Sequence, residues 1–473
     1  MKHLLLISAT LSLTNGFLVA AETKPALPNI VVFISDDHGM LDSEPYGSTD
    51  IRTPNMTRLA ADGMKFTHAF AASPSCGPSR TALLTGLWPA RNGAEPNHKP
   101  KRPDVAGLPT ALHALGYEVA AIGKVAHNNF AKLYDFDFVA GPPLGATTTD
   151  GVAKFLAGRD KSKPLCLFFG THYPHTPWIA NHGYDPARLN LPPTFVDTLV
   201  TREQRANYSS SVTAADTLLG ELRALTQKHV PGDSIFIYTA DQGAAWPFAK
   251  WDLYEASTRV PFIVSWPGHL KPATTNDAMI CLPDLLPTFI ELAGGKVPAG
   301  LDGKSFAGLL RGTTNVCRDQ VFATCSGDGD VNVYPSRSLR TRDWKFILNL
   351  HPEFQHHTHI SLSPSSANGN LYWQTWLAAA KEIPAAAAVV KRYIERPADE
   401  LYDLKADPFE LHNLAADPKQ AERLASMRAD VRAWMKQQGD KETVFGKPRL
   451  IGEQKPVGRR KGKAGKPGTN AEE

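Results

Sequence analysis

Apolar runs of strand length alternate with helical patterns through the first two thirds of this chain of 473 residues. Continuously apolar strands that are separated by helices predict a parallel sheet with helices packed on both faces. We therefore predict an α/β fold with a large, mostly parallel sheet. The apolar runs are NIVVFIS, YEVAAIG, LCLFFG, SIFIYTA and PFIVSW.

The pattern changes after about Gly312. The segments RSLRTRDWKFILNL and ELYDLKADPFELHNLA predict antiparallel strands, and KQAERLASMRADVRAWMKQQ has the apolar spacing of an amphipathic helix. Because the chain is too long for one compact core, we predict two domains. A large domain occupies residues 22–312, and a smaller C-terminal α+β domain with an antiparallel sheet occupies residues 313–450.

The first 21 residues have the pattern of a cleavable signal peptide. A basic residue, Lys2, precedes an apolar run from Leu4 to Leu13, and two small residues, Ala20 and Ala21, follow. That run is too short to anchor the protein in a bilayer. We therefore expect a periplasmic or secreted protein without a membrane anchor.

The net charge of +4 comes almost wholly from the two ends of the chain. Lys2 leaves with the signal peptide, and residues 451–473 carry six Lys or Arg against three Glu. The Gly, Pro and Lys composition of this tail predicts disorder. Since the remaining body is nearly neutral, we expect no specific nucleic-acid partner.

Five cysteines in an exported chain leave at least one unpaired. Cys166 lies inside the apolar run LCLFF and is predicted to be a core residue. Cys317 and Cys325 are close enough in sequence to form a disulfide. Cys76 therefore needs an explanation of its own.

Two apolar strands end at acidic or amide residues. Asp36 and Asp37 follow NIVVFIS, and Asp241 and Gln242 follow SIFIYTA. Either segment alone is also typical of a turn. Because the carboxyl ends of parallel strands meet at one edge of a sheet, the pair favours a shared site. Carboxylate and amide oxygens suit a hard cation, calcium or magnesium, better than zinc.

Cys76 lies at the start of a short predicted helix in SPSCGPSRTALLTG. Pro78 suits the first helical turn, and helix N-terminal amides together with Arg80 predict an acidic thiol. A cysteine protease would need a partner base in a papain-like context, which is absent here. The stretch alone leaves a structural thiol, half a disulfide, a nucleophile and a modified residue open.

CGPSRTALLTG resembles the signature of the type I sulfatases of the alkaline-phosphatase superfamily, C-x-P-S-R followed by a helix that closes in T-G. ISDDHG, TADQG, THYPHTP and the segment from Lys250 through STRVP resemble other active-site segments of that family. The resemblance spans roughly Asn29 to Asn413. It implies an alkaline-phosphatase-like fold, a catalytic domain over residues 22–312 and the activity of a sulfuric ester hydrolase.

The resemblance also implies the nucleophile and the metal ligands of the site. Cys76 is expected to be oxidised to formylglycine by a formylglycine-generating enzyme, and its hydrated aldehyde is the expected nucleophile. The implied ligands of one calcium ion are Asp36, Asp37, Asp241, Gln242 and the modified Cys76. Gln242 replaces the commoner asparagine but retains an amide oxygen.

Five further side chains have implied catalytic roles. Arg80 orients the formylglycine and neutralises the sulfate, Lys124 and Lys250 bind sulfate oxygens, and His127 and His175 transfer protons. GKVAH places two residues between Lys124 and His127, where many relatives have one. Taken singly, each of these residues also has a structural explanation as a solvated, packed or stacked side chain.

The C-terminal half resembles the heparan N-sulfatase (sulfamidase) branch, a layout that glycan O-sulfatases share. The implied substrate is a sulfated glycan fragment, with N-sulfoglucosamine favoured. Three alternatives remain: an O-sulfatase on sulfated hexoses, a phosphodiesterase or phosphonate hydrolase, and an inactive glycan-binding relative. Unassigned candidates for contacts with the sugar are His98, His182, Arg340, His351, His356, His357 and His359.

Overall fold

The computed structural model describes residues 27–142, 145–362 and 370–452. The predicted signal peptide and residues 453–473 of the predicted tail lie outside these ranges. The strands are β1 (Asn29–Ser35), β2 (Met64–Phe70), β3 (Glu118–Gly123), β4 (Phe138–Ala140), β5 (Leu165–Gly170), β6 (Ser234–Ala240), β7 (Phe262–Ser265), β8 (Thr274–Cys281), β9 (Val321–Cys325), β10 (Ser336–Arg340), β11 (Trp344–Asn349) and β12 (Asp399–Asp403).

Helices connect and cover these strands, and none that the structure describes is long and apolar enough to cross a membrane. The helices are α1 (Pro54–Ala61), α2 (Cys76–Thr85), α3 (Pro89–Asn92), α4 (Leu108–His113), α5 (Asp150–Gly158), α6 (Leu199–His229), α7 (Glu255–Thr258), α8 (Leu285–Leu292), α9 (Ala307–Leu310), α10 (His359–Leu362), α11 (Asn370–Ala379), α12 (Pro384–Ile394) and α13 (Ala421–Gln438).

Eight strands form the large sheet, in the order β4-β3-β5-β1-β6-β7-β2-β8. β1 lies in the middle, with Val31 paired in parallel to Leu167 of β5 and to Phe236 of β6. β7 runs antiparallel to both of its neighbours, so β2 points the same way as β6. The prediction of a large, mostly parallel sheet is confirmed.

Both faces of the large sheet are apolar. Ile30, Val32 and Ile34 of β1 belong to one buried cluster, which includes residues of α2, α4 and α8. Val31 and Phe33 point the other way, into a cluster with residues of α1, α5 and α6. Because side chains alternate along a strand, continuous apolarity means that both faces are covered.

The second sheet is antiparallel, in the order β12-β11-β10-β9, as the sequence predicts. Leu339 and Phe346 of this sheet share a buried cluster with Val431 and Trp434 of α13. Trp434 also meets the ring of Trp88, which follows α2, at 6.0 Å in an edge-to-face contact. The domain limits at residues 312 and 313 stay predictions.

The suggested disulfide between Cys317 and Cys325 is wrong, since both thiols are free in the structure. Cys325 ends β9, and its Sγ atom lies 3.3 Å from the carbonyl of Trp251. Cys317 lies instead beside the carbonyls of Lys304 and Ser305. Closeness in sequence does not bring the two side chains together.

Candidate active site

The large sheet brings the predicted metal-binding residues to one edge. Asp36 and Asp37 directly follow β1, and Asp241 and Gln242 directly follow the adjacent parallel strand β6. Asp37 has a left-handed backbone conformation with a φ of 65°, which is uncommon for residues other than glycine. Its backbone N–H donates to Oδ1 of Asp241 at 3.1 Å.

Cys76 reaches the same point from α2, the helix that follows β2. Its Sγ atom lies 3.4 Å from Oδ1 of Asp36 and 3.9 Å from Oδ1 of Asp37. Nε2 of Gln242 donates to that sulfur at 3.2 Å and to Asp37 at 2.5 Å. Three segments that are distant in sequence therefore meet at the Cys76 side chain: the start of α2, the residues after β1 and the residues after β6.

Arg80 lies one turn after Cys76 and is fully buried. Its Nε atom donates to Oδ2 of Asp241 at 2.8 Å, and a terminal nitrogen lies 3.4 Å from Oδ1 of Asp36. The guanidinium also donates to the carbonyl of Lys124. The guanidinium of Arg80, on α2, therefore links the residues that directly follow β1, β3 and β6.

Two lysines flank the aspartate pair. Lys124, which follows β3, binds Oδ2 of Asp36 at 2.6 Å, and Lys250 binds Oδ2 of Asp37 at 2.8 Å. Burial would raise the pKa of Asp36, but Lys124 and the neighbouring cations hold that pKa well below its usual range. Burial raises the pKa of Asp37, and it raises that of Asp241 to about 7.

The sequence-based expectation of an acidic thiol is wrong. Cys76 is 1% exposed, and burial raises the pKa of its thiol well above the ordinary 9.0. Lys124 and Lys250 oppose this effect but do not overcome it, because burial has the larger effect and the carboxylates of Asp36 and Asp241 add to it. A resting thiolate nucleophile is therefore unfavourable at this position.

The residues present fit a hard cation. Asp36, Asp37 and Asp241 are fully buried, and ligand atoms of Asp36, Cys76 and Asp241 all lie within 4.8 Å of one another. Oε1 of Gln242 is buried and has no hydrogen-bond partner among the described residues. A half-turn of this amide would exchange Oε1 with the nitrogen that now faces Asp37 and Cys76. The donor set would then consist of oxygens and the residue at position 76.

His175 lies in the segment after β5 and lines a cleft together with Cys76, Lys124 and Lys250. Its Nδ1 atom contacts the carbonyl of Thr176, which only accepts, so Nδ1 carries a proton. Nε2 faces Asp37, with 3.8 Å between Nε2 and Oδ2. Burial and the charge of Lys250 lower the pKa of His175 well below 6.5. The ring of His172 lies 5.2 Å away.

His127 is held by two residues. Its Nε2 atom lies 2.7 Å from Nδ1 of His98, and Nε2 of His98 lies 3.2 Å from Oδ1 of Asp328. Charged and hydrogen-bonded groups around Asp328 outweigh its burial and keep its pKa below the usual range, so this carboxylate only accepts.

This chain of contacts fixes the proton on His127. When His98 is neutral and donates from Nε2, its Nδ1 atom must accept the hydrogen bond from Nε2 of His127. The amide nitrogen of Asn128, 3.4 Å from the same Nδ1, is consistent with that assignment. Nδ1 of His127 is then the unprotonated nitrogen, and it is buried without a hydrogen-bond partner among the described residues.

Asn97 and Asp328 line the cleft, but sequence reasoning missed them. Asn97 accepts from the backbone N–H of Gly77 at 2.9 Å and donates to Asp328 at 3.0 Å. Trp251 also donates to Asp328, at 3.1 Å, and the ammonium of Lys250 lies 4.7 Å from the centre of the Trp251 ring. Both Asn97 and Asp328 lie in loops without a recognisable spacing.

Only two of the unassigned candidates for sugar contacts reach the cleft, His98 and His359. His359 stacks on Trp251 with 4.9 Å between the ring centres. Arg340 is buried against Glu255 on another part of the molecule. The remaining histidines, which do not line the cleft, are His182, His351, His356 and His357.

The sequence profile of the sulfatase family matches residues 28–295. A second profile, described as the C-terminal part of N-sulphoglucosamine sulphohydrolase, matches residues 243–362. An ulvan-active sulfatase of Formosa agariphila is 32% identical over 89% of this chain and 83% of its own length. Human N-sulphoglucosamine sulphohydrolase is 27% identical over 86% of this chain and 89% of its own length.

Solved structures share the fold. One is a protein in complex with its substrate D-glucosamine-2-N,6-O-disulfate, with a TM-score of 0.65 and 21% identity; the match covers 88% of this chain and 99% of that one. The phosphonate monoester hydrolase of Silicibacter pomeroyi also has a TM-score of 0.65, at 18% identity, over 88% of this chain and 96% of its own.

The fold places the chain in the class of α/β proteins to which these solved structures belong. Within that class, the chain belongs to the sulfatase family and is a sulfuric ester hydrolase.

Proposed function

We propose that this protein removes sulfate from sulfated glycan fragments, with N-sulfoglucosamine favoured over O-sulfated hexoses. The observation that carries the proposal is the position of Cys76, buried between three carboxylates and two lysines at the floor of a cleft. The relatives include an ulvan-active sulfatase and an N-sulphoglucosamine sulphohydrolase, and the profile of the latter's C-terminal part covers residues 243–362.

Cys76 is the proposed site of oxidation to formylglycine, for which the maturation enzyme supplies the oxidant. A hydrated aldehyde offers one hydroxyl for attack on sulfur and a second for release of the product, which neither a thiol nor a serine can do. The raised pKa of the thiol supports this proposal, because an unmodified Cys76 would be a poor nucleophile.

The cations would hold the sulfate. Lys124 binds Asp36 and Lys250 binds Asp37, the two carboxylates beside Cys76, and both lysines are nearly buried. Since a sulfate ester repels nucleophiles through its negative charge, fixed cations in a water-poor site lower the barrier to attack. The proposed ligands of one calcium ion are Asp36, Asp37, Asp241, Gln242 and the modified Cys76. When bound, that ion would draw charge from the sulfate oxygens and orient the nucleophile.

The two histidines have different proposed tasks. His127 presents an unprotonated Nδ1 atom, which suits the removal of a proton from position 76. His175 keeps a proton on Nδ1, and its Nε2 atom faces the cleft beside Asp37. Protonation of that Nε2 atom in the substrate complex would equip His175 to donate to the leaving oxygen or nitrogen.

The test measures sulfate and phosphate release in parallel from N-sulfated, O-sulfated and phosphorylated sugars. The protein is produced with its maturation enzyme, and the peptide mass around Cys76 establishes conversion. We expect sulfate release that is lost in Cys76→Ala. Phosphate release alone would support the phosphonate hydrolase alternative, and no release from fully converted protein would support an inactive glycan-binding relative.

A further inference from the structure

A second cleft, here named the basic cleft, lies beside the active-site cleft. Its volume of about 790 Å³ is within the range of sites that hold small organic ligands. Among the described residues, the charged ones that line it are five cations and one carboxylate, which gives a strong positive excess. These residues are Arg91, Lys99, Lys101, Arg102, Lys441 and Glu95.

Three of these cations have no carboxylate within ion-pair distance among the described residues: Lys99, Lys101 and Lys441. The ammonium of Lys99 lies 5.4 Å from the centre of the Phe445 ring, which also lines the cleft. The ammonium of Lys101 donates only to the carbonyl of Val105, at 2.7 Å. Because their charge is not neutralised within the protein, these lysines are available to an anionic ligand.

Lining residues of the two clefts are adjacent in sequence. Asn97 and His98 line the active-site cleft, and the next residue, Lys99, lines the basic cleft. His98 has a left-handed backbone with φ of 61°, so the chain turns sharply at the boundary between them. Neighbouring Cα atoms are about 3.8 Å apart, so Lys99 follows directly on His98, whose ring contacts His127.

The turn that contains Asp328 also connects residues of the two clefts through hydrogen bonds. Asp328 lines the active-site cleft. In the turn that contains Asp328, the carbonyl of Gly327 accepts a hydrogen bond from the backbone N–H of Asn97 at 2.9 Å. In the same turn Asp330 accepts the backbone N–H of Lys447 at 3.0 Å. That contact fixes the segment after α13, which carries Lys441 and Phe445.

We propose that the basic cleft binds the anionic groups of the sugar residues that flank the one whose sulfate occupies the active-site cleft. The ligand class is therefore an oligosaccharide that carries sulfate or carboxylate groups on successive residues. This inference rests on the proposed function, because it places the cleaved sulfate next to Cys76. It adds a second contact area, which a sulfated monosaccharide cannot fill.

The test compares binding of a long and a short ligand by calorimetry. The probes are a heparin-derived hexasaccharide and D-glucosamine-2-N,6-O-disulfate, and the protein carries Cys76→Ala so that no turnover occurs. The variant is Lys99→Glu/Lys441→Glu. The matched control is Lys161→Glu/Lys163→Glu, which reverses two exposed lysines in the loop before β5, at the opposite edge of the sheet.

In the cleft variant we expect hexasaccharide affinity to fall about tenfold or more and monosaccharide affinity to change less than about twofold. The control pair is expected to keep both affinities within about twofold. An equal loss for both ligands, or an equal loss in the control, would overturn the proposal. Unchanged hexasaccharide affinity in the cleft variant would also overturn it.

Two further measurements keep the result interpretable. Lys99→Gln, which removes one charge without reversal, is measured alongside in case the double variant has a lower melting temperature. A single-stranded oligonucleotide of equal charge serves as competitor, and full displacement by it would assign a general polyanion site instead. Because binding is measured without turnover, failure of the proposed hydrolysis would show only in the sulfate-release assay.

Discussion

Oδ1 of Asp328 lies 3.2 Å from Nε2 of His98, whose other ring nitrogen faces His127. The amide nitrogen of Asn97 lies at the same distance from that Nε2 atom and donates one of its two protons to Oδ2 of Asp328, whereas the charged Oδ1 atom only accepts and would repel an unprotonated Nε2. The carboxylate is therefore the partner that sets the direction of the hydrogen bonds. Asp328, which reaches His127 only through His98, therefore determines which nitrogen of His127 is free to take a proton.

Asp328→Asn removes that acceptor with little change in shape. We expect kcat to fall about 10- to 100-fold while KM changes little, because His127 would sample the other tautomer. The pH profile of kcat should shift as well, which a purely structural role would not cause. The control is Asp330→Asn, an exposed residue of the same turn. An unaltered kcat in Asp328→Asn would contradict the role of Asp328.

Arg80→Lys keeps the positive charge but loses the fork that spans Asp241 and Asp36. We expect the free energy of unfolding to fall by about 3 kcal/mol, because two buried carboxylates lose hydrogen bonds. Denaturant unfolding measures this change. Arg311→Lys, in an exposed pair with Glu291, is the comparison and should change it by less than about 0.5 kcal/mol.

Calcium should raise the melting temperature of the protein, and a chelator should reverse the effect. At a concentration 100 times the dissociation constant, the expected stabilisation is about 2.7 kcal/mol. Gln242→Leu removes the unpartnered amide oxygen and should weaken calcium binding, measured by calorimetry, whereas Gln242→Asn should retain most of it. Equal calcium affinity in Gln242→Leu and the parent protein would exclude this amide as a ligand.

Glu410 gives the protein a pH-dependent stability. Burial raises its pKa from 4.5 to about 7, despite the ammonium of Lys345 at 3.7 Å. Between those values the folded protein holds a proton that the unfolded chain releases. The stabilising contribution is therefore complete below pH 4.5 and is lost as the pH rises through 7.

Glu410→Gln should flatten this decline, which amounts to at most about 1.4 kcal/mol per pH unit. The measurement is the free energy of unfolding between pH 4.5 and 7.5, compared with the parent protein and with exposed Glu382→Gln. The neighbouring Glu255 adds no slope in this range, because Lys345 and Arg340 overcome the effect of its burial and keep its pKa low. A parallel decline in Glu410→Gln and the parent would contradict this assignment.

The sequence predicted the sheet and the residues at its strand ends because both follow from local patterns. Asp36 and Asp241 directly follow apolar strands, and parallel strands deliver their carboxyl ends to one edge. Asn97 and Asp328 meet across 231 positions of sequence and lie in loops, whose paths no periodicity encodes. The prediction of an acidic thiol at Cys76 was wrong because it used only the position of Cys76 at a helix start, which is a local property. Burial, which raises the pKa of the thiol, depends on the whole fold.

The burial of Cys76 also limits when this residue can be oxidised to formylglycine. The thiol is 1% exposed and touches Gln242, a residue made 166 positions later. At about 5–20 residues per second, that separation corresponds to roughly 8–33 s of synthesis. An oxidising enzyme would thus have access to Cys76 only before β6 joins the sheet. Folded, unconverted protein should therefore resist maturation, and the mass of the Cys76 peptide after incubation with the enzyme measures whether it does.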